Sequence, residues 1–69
     1  MHYRIEFFYS VPGAASQFQK ESEAIDAISD EKAIVRAEEQ ALSKAAHHFS
    51  VWGLQGVTDR LIYSTVGPS

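Results

Sequence analysis

The 69-residue chain contains no cysteine, and this absence removes several kinds of chemistry. Without thiols there is no disulfide framework, no thiolate zinc site and no cysteine nucleophile. Small secreted domains are usually stapled by disulfides, so the composition favours an intracellular, cytoplasmic protein. The first ten residues place Arg4 and Glu6 inside the apolar run and offer no small-residue cleavage site, which argues against a signal peptide.

Long apolar runs and an excess of basic residues are also missing. No stretch approaches the roughly 18 apolar residues of a membrane span. Six Lys and Arg residues stand against nine Asp and Glu residues, for a formal net charge of −3. Nucleic acids and anionic membranes attract basic surfaces, so we predict neither a membrane nor a direct nucleic-acid partner.

Motifs that specify catalysis are absent too. There is no G-x-S-x-G sequence, and the glycines are too isolated to form a phosphate-binding loop. His47 and His48 are neighbours, so on a helix they would diverge by about 100° instead of chelating a metal from one face. The sequence therefore predicts no catalytic residue, no metal site and no cofactor.

What is present indicates a strand-rich domain with one helix. Residues 2–11, HYRIEFFYSV, alternate between two faces with aromatic and β-branched side chains, which is typical of a half-buried strand. The stretch PGAAS then breaks this strand with turn residues. Residues 17–28 fit either a strand or a helix, and we favour a strand that pairs back on the first as a hairpin.

The helix is predicted from about Asp30 to Phe49. Ser29 is a suitable N-cap, and acidic residues in the first turn face the positive end of the helix dipole. Alanines recur at every fourth position and form a ridge of small side chains that allows close approach to a sheet. The predicted buried stripe is Ile34, Ala37, Ala41, Leu42, Ala45 and Phe49, the alanine ridge is Ala33, Ala37, Ala41 and Ala45, and His47 and His48 fall in the last turn.

Two further strands, SVWGLQ and RLIYSTV, follow the helix and are joined by GVTD as a turn. The predicted order is ββαββ, an antiparallel sheet with one helix on one face and a more open second face. This is an α+β architecture, a single domain over residues 1–66 with a loose tail at 67–69.

Acidic residues are concentrated in one part of the chain. Residues 20–39 carry a net charge of −4, and the rest of the chain carries +1. Such a run is either a solvated face or an electronegative patch that docks on a basic surface of a larger protein. The candidate partner-binding residues are Glu21, Glu23, Asp26, Asp30, Glu31, Glu38 and Glu39, together with Phe8.

Glu38 admits three interpretations, because it is expected to point into the predicted apolar stripe. These are the edge of the helix contact, a mark of partner docking, and half of a catalytic pair with Glu31, about 10 Å away along the axis. A domain of this size with one helix seldom encloses an active-site pocket, which disfavours the catalytic interpretation.

Aromatic side chains offer an alternative mode of association. Phe8, Trp52 and Tyr63 cannot all lie beneath one short helix, and Tyr and Trp are common anchors of binding surfaces. The alternative function is therefore a structural or homo-oligomeric module, a homodimer that uses the sheet face carrying Phe8 and so enlarges a small core.

In size, acidity, lack of cysteine and general plan, the chain resembles compact proteins encoded by phages and other mobile elements, including anti-CRISPR inhibitors. The resemblance concerns the plan of the whole chain. It implies a non-enzymatic inhibitor, acting in the cytoplasm of a bacterial host, that blocks a nucleic-acid-handling complex such as a CRISPR effector by occupying its surface.

Overall fold

The structure is a computed structural model, and its description covers residues 1–54 and 58–65, without the side chains of residues 14–16. Within these residues the chain forms a four-stranded antiparallel sheet in the order β2-β1-β3-β4, with one helix packed on it. The predicted ββαββ plan and α+β class are confirmed. The elements are β1 His2–Val11, β2 Ala14–Asp26, α1 Asp30–Ser43, β3 His48–Gly53 and β4 Arg60–Ser64.

The first two strands form the hairpin that the sequence predicts. They pair antiparallel from His2 opposite Asp26 to Val11 opposite Ala14, so the ambiguous segment is a strand. The turn is shorter than the predicted PGAAS break, because β2 already begins at Ala14. Gly13 has a φ of +81°, a left-handed conformation that glycine adopts without a Cβ penalty.

The helix begins as predicted. The Ser29 side chain accepts a hydrogen bond from the Lys32 backbone N–H at 3.2 Å, and Asp30 and Glu31 occupy the first turn. This arrangement satisfies one of the unpaired N–H groups and places negative charge at the positive end of the dipole.

The predicted end of the helix at Phe49 is wrong, because α1 ends at Ser43. The Ala46 N–H donates to the Ala41 carbonyl at 2.9 Å, and the Ala45 N–H donates to the Leu42 carbonyl at 3.2 Å. These two bonds form a Schellman motif, with Ala45 in the left-handed conformation at φ +57°.

Strand pairing replaces helix immediately after this cap. The His47 N–H donates to the Phe8 carbonyl at 2.8 Å, which directs the chain into β3 beside β1. His47 and His48 are therefore not in a last helical turn, and Phe49 is buried in the sheet opposite Phe7.

Ala45→Gly is expected to stabilise the fold by about 0.5–1 kcal/mol, because a left-handed conformation penalises a Cβ. Thermal unfolding should show a rise in Tm of a few degrees. Ala46→Gly is the control, since Ala46 has no positive φ and the same replacement should lower Tm. A lower Tm for Ala45→Gly would contradict the cap geometry.

The core lies between the sheet and the alanine ridge. Tyr3, Ile5 and Phe7 alternate along β1 and are fully buried on the helix side. Ala33 and Ala37 are also fully buried, so the ridge is confirmed over its first part. The other buried apolar residues are Ile25, Ala41, Phe49 and Val51.

Other predicted features differ or fall outside the description. Leu42 was expected in the buried stripe but is 78% exposed, because Ala33, Ala37 and Ala41 define the buried line and Leu42 is rotated about 100° from Ala41.

Residues 55–57, within the predicted third strand and GVTD turn, and residues 66–69, which include the predicted tail, lie outside the described residues. None of the helices in the described ranges has the length and apolarity to cross a membrane.

Candidate partner-binding surface

The eight candidate residues lie in four settings and do not form one patch. Glu21 and Glu23 are on β2, opposite Phe7 and Ile5 and therefore on the helix side of the sheet. Asp26 and Asp30 flank the connection from β2 to α1. The remaining acidic candidates, Glu31, Glu38 and Glu39, are exposed on the helix, and Phe8 lies on the opposite face of the sheet.

Glu21 and Glu23 are engaged by one lysine. Lys44 Nζ lies 3.0 Å from Glu21 Oε1 and 3.9 Å from Glu23 Oε2. The hydrogen bond to Glu21 raises the pKa of Lys44. The same ammonium lies 5.4 Å from the centre of the Phe7 ring. These two carboxylates therefore connect β2 to the C-cap of the helix.

Asp26 and Asp30 are also partnered within the domain. His2 Nδ1 lies 2.5 Å from Asp26 Oδ1. The buried Tyr3 hydroxyl donates to Asp30 Oδ1 at 2.8 Å, and Arg60 Nη2 lies 3.2 Å from Asp30 Oδ2. Burial raises the pKa of the Tyr3 hydroxyl, and the bond to Asp30 adds to the shift. Asp30 thus ties the helix N-terminus to β1 and β4.

Glu31, Glu38 and Glu39 differ, because none of them forms an ion pair within the described ranges. Arg36 is one turn before Glu39 and would be a natural partner. Its guanidinium instead donates to the Asp26 carbonyl at 2.8 Å. The outer side of the helix therefore carries three carboxylates without a cation partner among the described residues.

The predicted orientation of Glu38 toward the core is wrong. Glu38 is exposed, and the buried side of the helix is the line of alanines at 33, 37 and 41. Because the helix turns by 100° per residue, Glu38 is rotated well away from that line. The interpretations of Glu38 that depended on contact with the apolar stripe lose their basis.

Sequence reasoning missed an apolar line beside these carboxylates. Val35 is 47% exposed and Leu42 is 78% exposed, and residues seven apart on a helix point in nearly the same direction. Ile28, seven residues before Val35 and directly before the N-cap, is 83% exposed. The seven-residue spacing of Val35 and Leu42 within the helix was the signal in the sequence that could have revealed this line.

Part of the second face of the sheet carries a polar network around Glu6 and Trp52. Glu6 has a side chain only 12% exposed, and Glu6 Oε1 accepts a hydrogen bond from Trp52 Nε1 at 2.8 Å. Lys20 Nζ lies 3.3 Å from Glu6 Oε2. Arg4 stacks over the Trp52 ring at 5.6 Å and pairs with Asp59 at 2.8 Å.

Phe8 is half-buried within this face, between Lys20 on β2 and His48 on β3. Its neighbours on the same strand and face are Glu6 and Ser10, both polar. Phe18, opposite Ser10 and 42% exposed, is on this same face and stacks on His47, so the face offers a homodimer an aromatic area beside its polar network.

The described residues contain no cluster of three metal-ligating side chains. A shallow, open cavity of about 290 Å³ lies at one end of the sheet. It is lined by the His2–Asp26 pair and four other residues, and neither Glu31 nor Glu38 reaches it; the lining is His2, Tyr3, Ala24, Ile25, Asp26 and Leu54.

Comparison of the chain with family models, with curated proteins and with solved structures finds no match.

Proposed function

We propose that this protein is a non-catalytic, protein-binding domain that docks on a basic surface of a larger protein. Its sharpest form is a small acidic inhibitor that blocks a nucleic-acid-handling complex, such as a CRISPR effector. The observation that carries this proposal is the outer side of α1, where Glu31, Glu38 and Glu39 are exposed and have no cation partner in the described parts of the chain.

The helix is favoured over β2 as the binding surface, because its carboxylates are unpaired and those of β2 are paired. Glu21 and Glu23 already balance Lys44, and a partner would have to compete with that contact. Glu31, Glu38 and Glu39 offer their full charge to an incoming cation. They also stand on an element whose inner face is fixed by buried alanines, so docking requires little ordering of the backbone.

A basic surface is the complementary target for such a face. Surfaces that handle nucleic acid carry the clustered Lys and Arg residues that neutralise phosphates. Carboxylates on a rigid helix are attracted to the same cations and would occupy the surface in place of the nucleic acid. Binding of this kind depends on screened charges and weakens as salt concentration rises.

Neutralising the helix carboxylates is expected to weaken partner binding on the order of tenfold, since each exposed ion pair contributes up to about 1 kcal/mol. The variant is Glu31→Gln, Glu38→Gln and Glu39→Gln combined. Its matched control is Glu21→Gln, Glu23→Gln and Asp26→Asn combined, which changes the net charge equally. The measurement is capture of partners from a bacterial lysate by the tagged protein, at low and high salt, with identification by mass spectrometry.

The proposal predicts a basic nucleic-acid-binding complex that is captured at low salt, lost at high salt, and lost with the helix variant more than with the β2 control. Equal capture by all three proteins would contradict the assignment to the helix. Recovery of this protein alone would replace the proposal with the homo-oligomeric module.

A further inference from the structure

The outer side of α1 has an apolar line where a solvated helix would carry polar residues. Val35 and Leu42 are separated by 700° of rotation, only 20° short of two full turns, and by about 10 Å along the axis. Both point away from the sheet, because the buried line at residues 33, 37 and 41 is on the other side of the helix. Ile28 precedes Val35 by the same interval and is 83% exposed.

The three unengaged carboxylates border this line on both sides. At 100° per residue, Glu31 and Glu38 lie on one side of Val35 and Leu42, and Glu39 lies on the other. We call this combination, Val35 and Leu42 with Glu31, Glu38 and Glu39, the outer seam. It joins apolar contact area to three carboxylates on a single rigid element, and the exposed Lys32, 60° from Val35 on the side of Glu39, is a cation that also borders the line.

We infer that the outer seam binds an amphipathic helix of a partner protein that carries Lys or Arg beside its apolar side chains. The inference rests on the proposed function, which requires a protein partner, and it specifies the partner's chemistry. Two helices pack side by side through the first and fourth positions of a seven-residue repeat, and Val35 and Leu42 supply the first position in two consecutive repeats. Glu31 and Glu38 stand at the fourth position, where a basic residue of the partner would face them. Basic residues flanking the partner's apolar line would pair with the carboxylates that border the seam.

Charge argues against the other occupants. A second copy of the chain would bring Glu31, Glu38 and Glu39 toward the same three carboxylates, with one Lys32 on each copy against the three, and an excess of like charges in contact is destabilising. An anionic membrane or a nucleic acid would be repelled for the same reason. From Glu31 to Leu42 the outer seam spans about 17 Å along the helix axis, so a partner helix of about 15 residues is long enough to cover it.

A designed peptide tests the seam directly. The probe is a fluorescent helical peptide of about 15 residues, with leucines seven apart and lysines beside them, and its control is a scrambled peptide of identical composition. Anisotropy titration of the full chain should show the designed peptide binding roughly tenfold or more tightly than the scrambled one, because only the designed peptide presents a continuous apolar line.

Variants of the chain locate the contact. Val35→Ser with Leu42→Ser is expected to weaken peptide binding by about tenfold or more, since both apolar contacts are lost. Leu61→Ser is the matched control, because Leu61 is also an exposed leucine, 51% exposed, but lies on β4. Circular dichroism checks that all variants fold. Equal affinity for the two peptides, or full binding by the Val35 and Leu42 variant, overturns the inference.

The oligomeric state and the lysate capture separate the remaining outcomes. A dimer in size-exclusion chromatography that Val35→Ser and Leu42→Ser dissociates assigns the seam to a second copy and overturns the inference. If the captured complex survives that variant, the proposed function stands and the seam falls. If the peptide binds through the seam but the wild-type chain captures no basic complex, the seam stands and the inhibitor function falls.

Discussion

Phe7→Ala is expected to leave the domain largely unfolded at room temperature. Phe7 is fully buried in β1, a central strand, with Phe49 opposite it on β3 and the Lys44 ammonium 5.4 Å from the ring centre. Truncating a buried phenylalanine costs about 3–5 kcal/mol, since the transfer free energy is lost and a cavity remains. A chain of this size has a net stability of only roughly 3–5 kcal/mol, so the loss is comparable to the whole.

Urea denaturation followed by circular dichroism measures this effect. Phe18→Ala is the control, because Phe18 is 42% exposed on the edge strand β2 and should cost about 1 kcal/mol or less. If the two variants unfold at the same urea concentration, Phe7 is not the central residue of the core.

Glu6→Ala is expected to cost about 2–3 kcal/mol, more than any other single carboxylate of the sheet. Its side chain is 12% exposed and accepts the Trp52 indole N–H at 2.8 Å. Arg4 Nε is buried without a hydrogen bond, and its ion-pair contact is Glu6 Oε2 at 3.9 Å. Removing the carboxylate leaves the Trp52 indole N–H without its acceptor and the buried Arg4 Nε without its nearest anion, while Arg4 Nη1 keeps its pair with Asp59.

Two variants calibrate this result. Glu6→Gln keeps an oxygen for Trp52 and should cost less than Glu6→Ala. Glu21→Ala removes a carboxylate that is 52% exposed and pairs only with a surface lysine, so about 0–1 kcal/mol is expected. Trp52 is the only tryptophan of the chain, so its fluorescence reports unfolding from beside the altered residue. A Glu6→Ala cost no larger than that of Glu21→Ala would contradict the network.

Local signals made much of the fold predictable. The alternation along residues 2–11 requires only a strand with one buried face, and Tyr3, Ile5 and Phe7 are buried as it indicates. The Ser29 cap is likewise encoded within four residues. The end of the helix was not predictable in this way. Ala45 and Ala46 favour a helix by their intrinsic propensity. The interaction that competes with the helix is the hydrogen bond from the His47 N–H to the carbonyl of Phe8, which is distant in sequence.

The sequence showed that the candidate surface is acidic, but it did not show which carboxylates pair within the domain and which remain unpaired. Lys44 and Glu21 are 23 residues apart, so their ion pair depends on the packing of α1 against the sheet and cannot be inferred from charge counts. The outer seam was not predicted, because the buried stripe expected from the sequence included Leu42 and left Val35 unassigned. In the structure both residues are exposed on the outer side of the helix. Arg36 donates a hydrogen bond to the Asp26 carbonyl and does not pair with Glu39. No local sequence pattern indicates this contact.

The position of β2 gives its charged residues a use that requires no partner. It is the longest strand, with 13 residues, and it lies at one edge of the sheet with its outer side unpaired by any described strand. An unpaired edge is a template on which another chain can add a strand and begin aggregation. Lys20, Glu21, Glu23 and Asp26 interrupt that template, since an added copy would meet charge along much of its length. The charged side chains of β2 thus disfavour the addition of a strand at this edge, a role that is independent of the binding proposed for the helix.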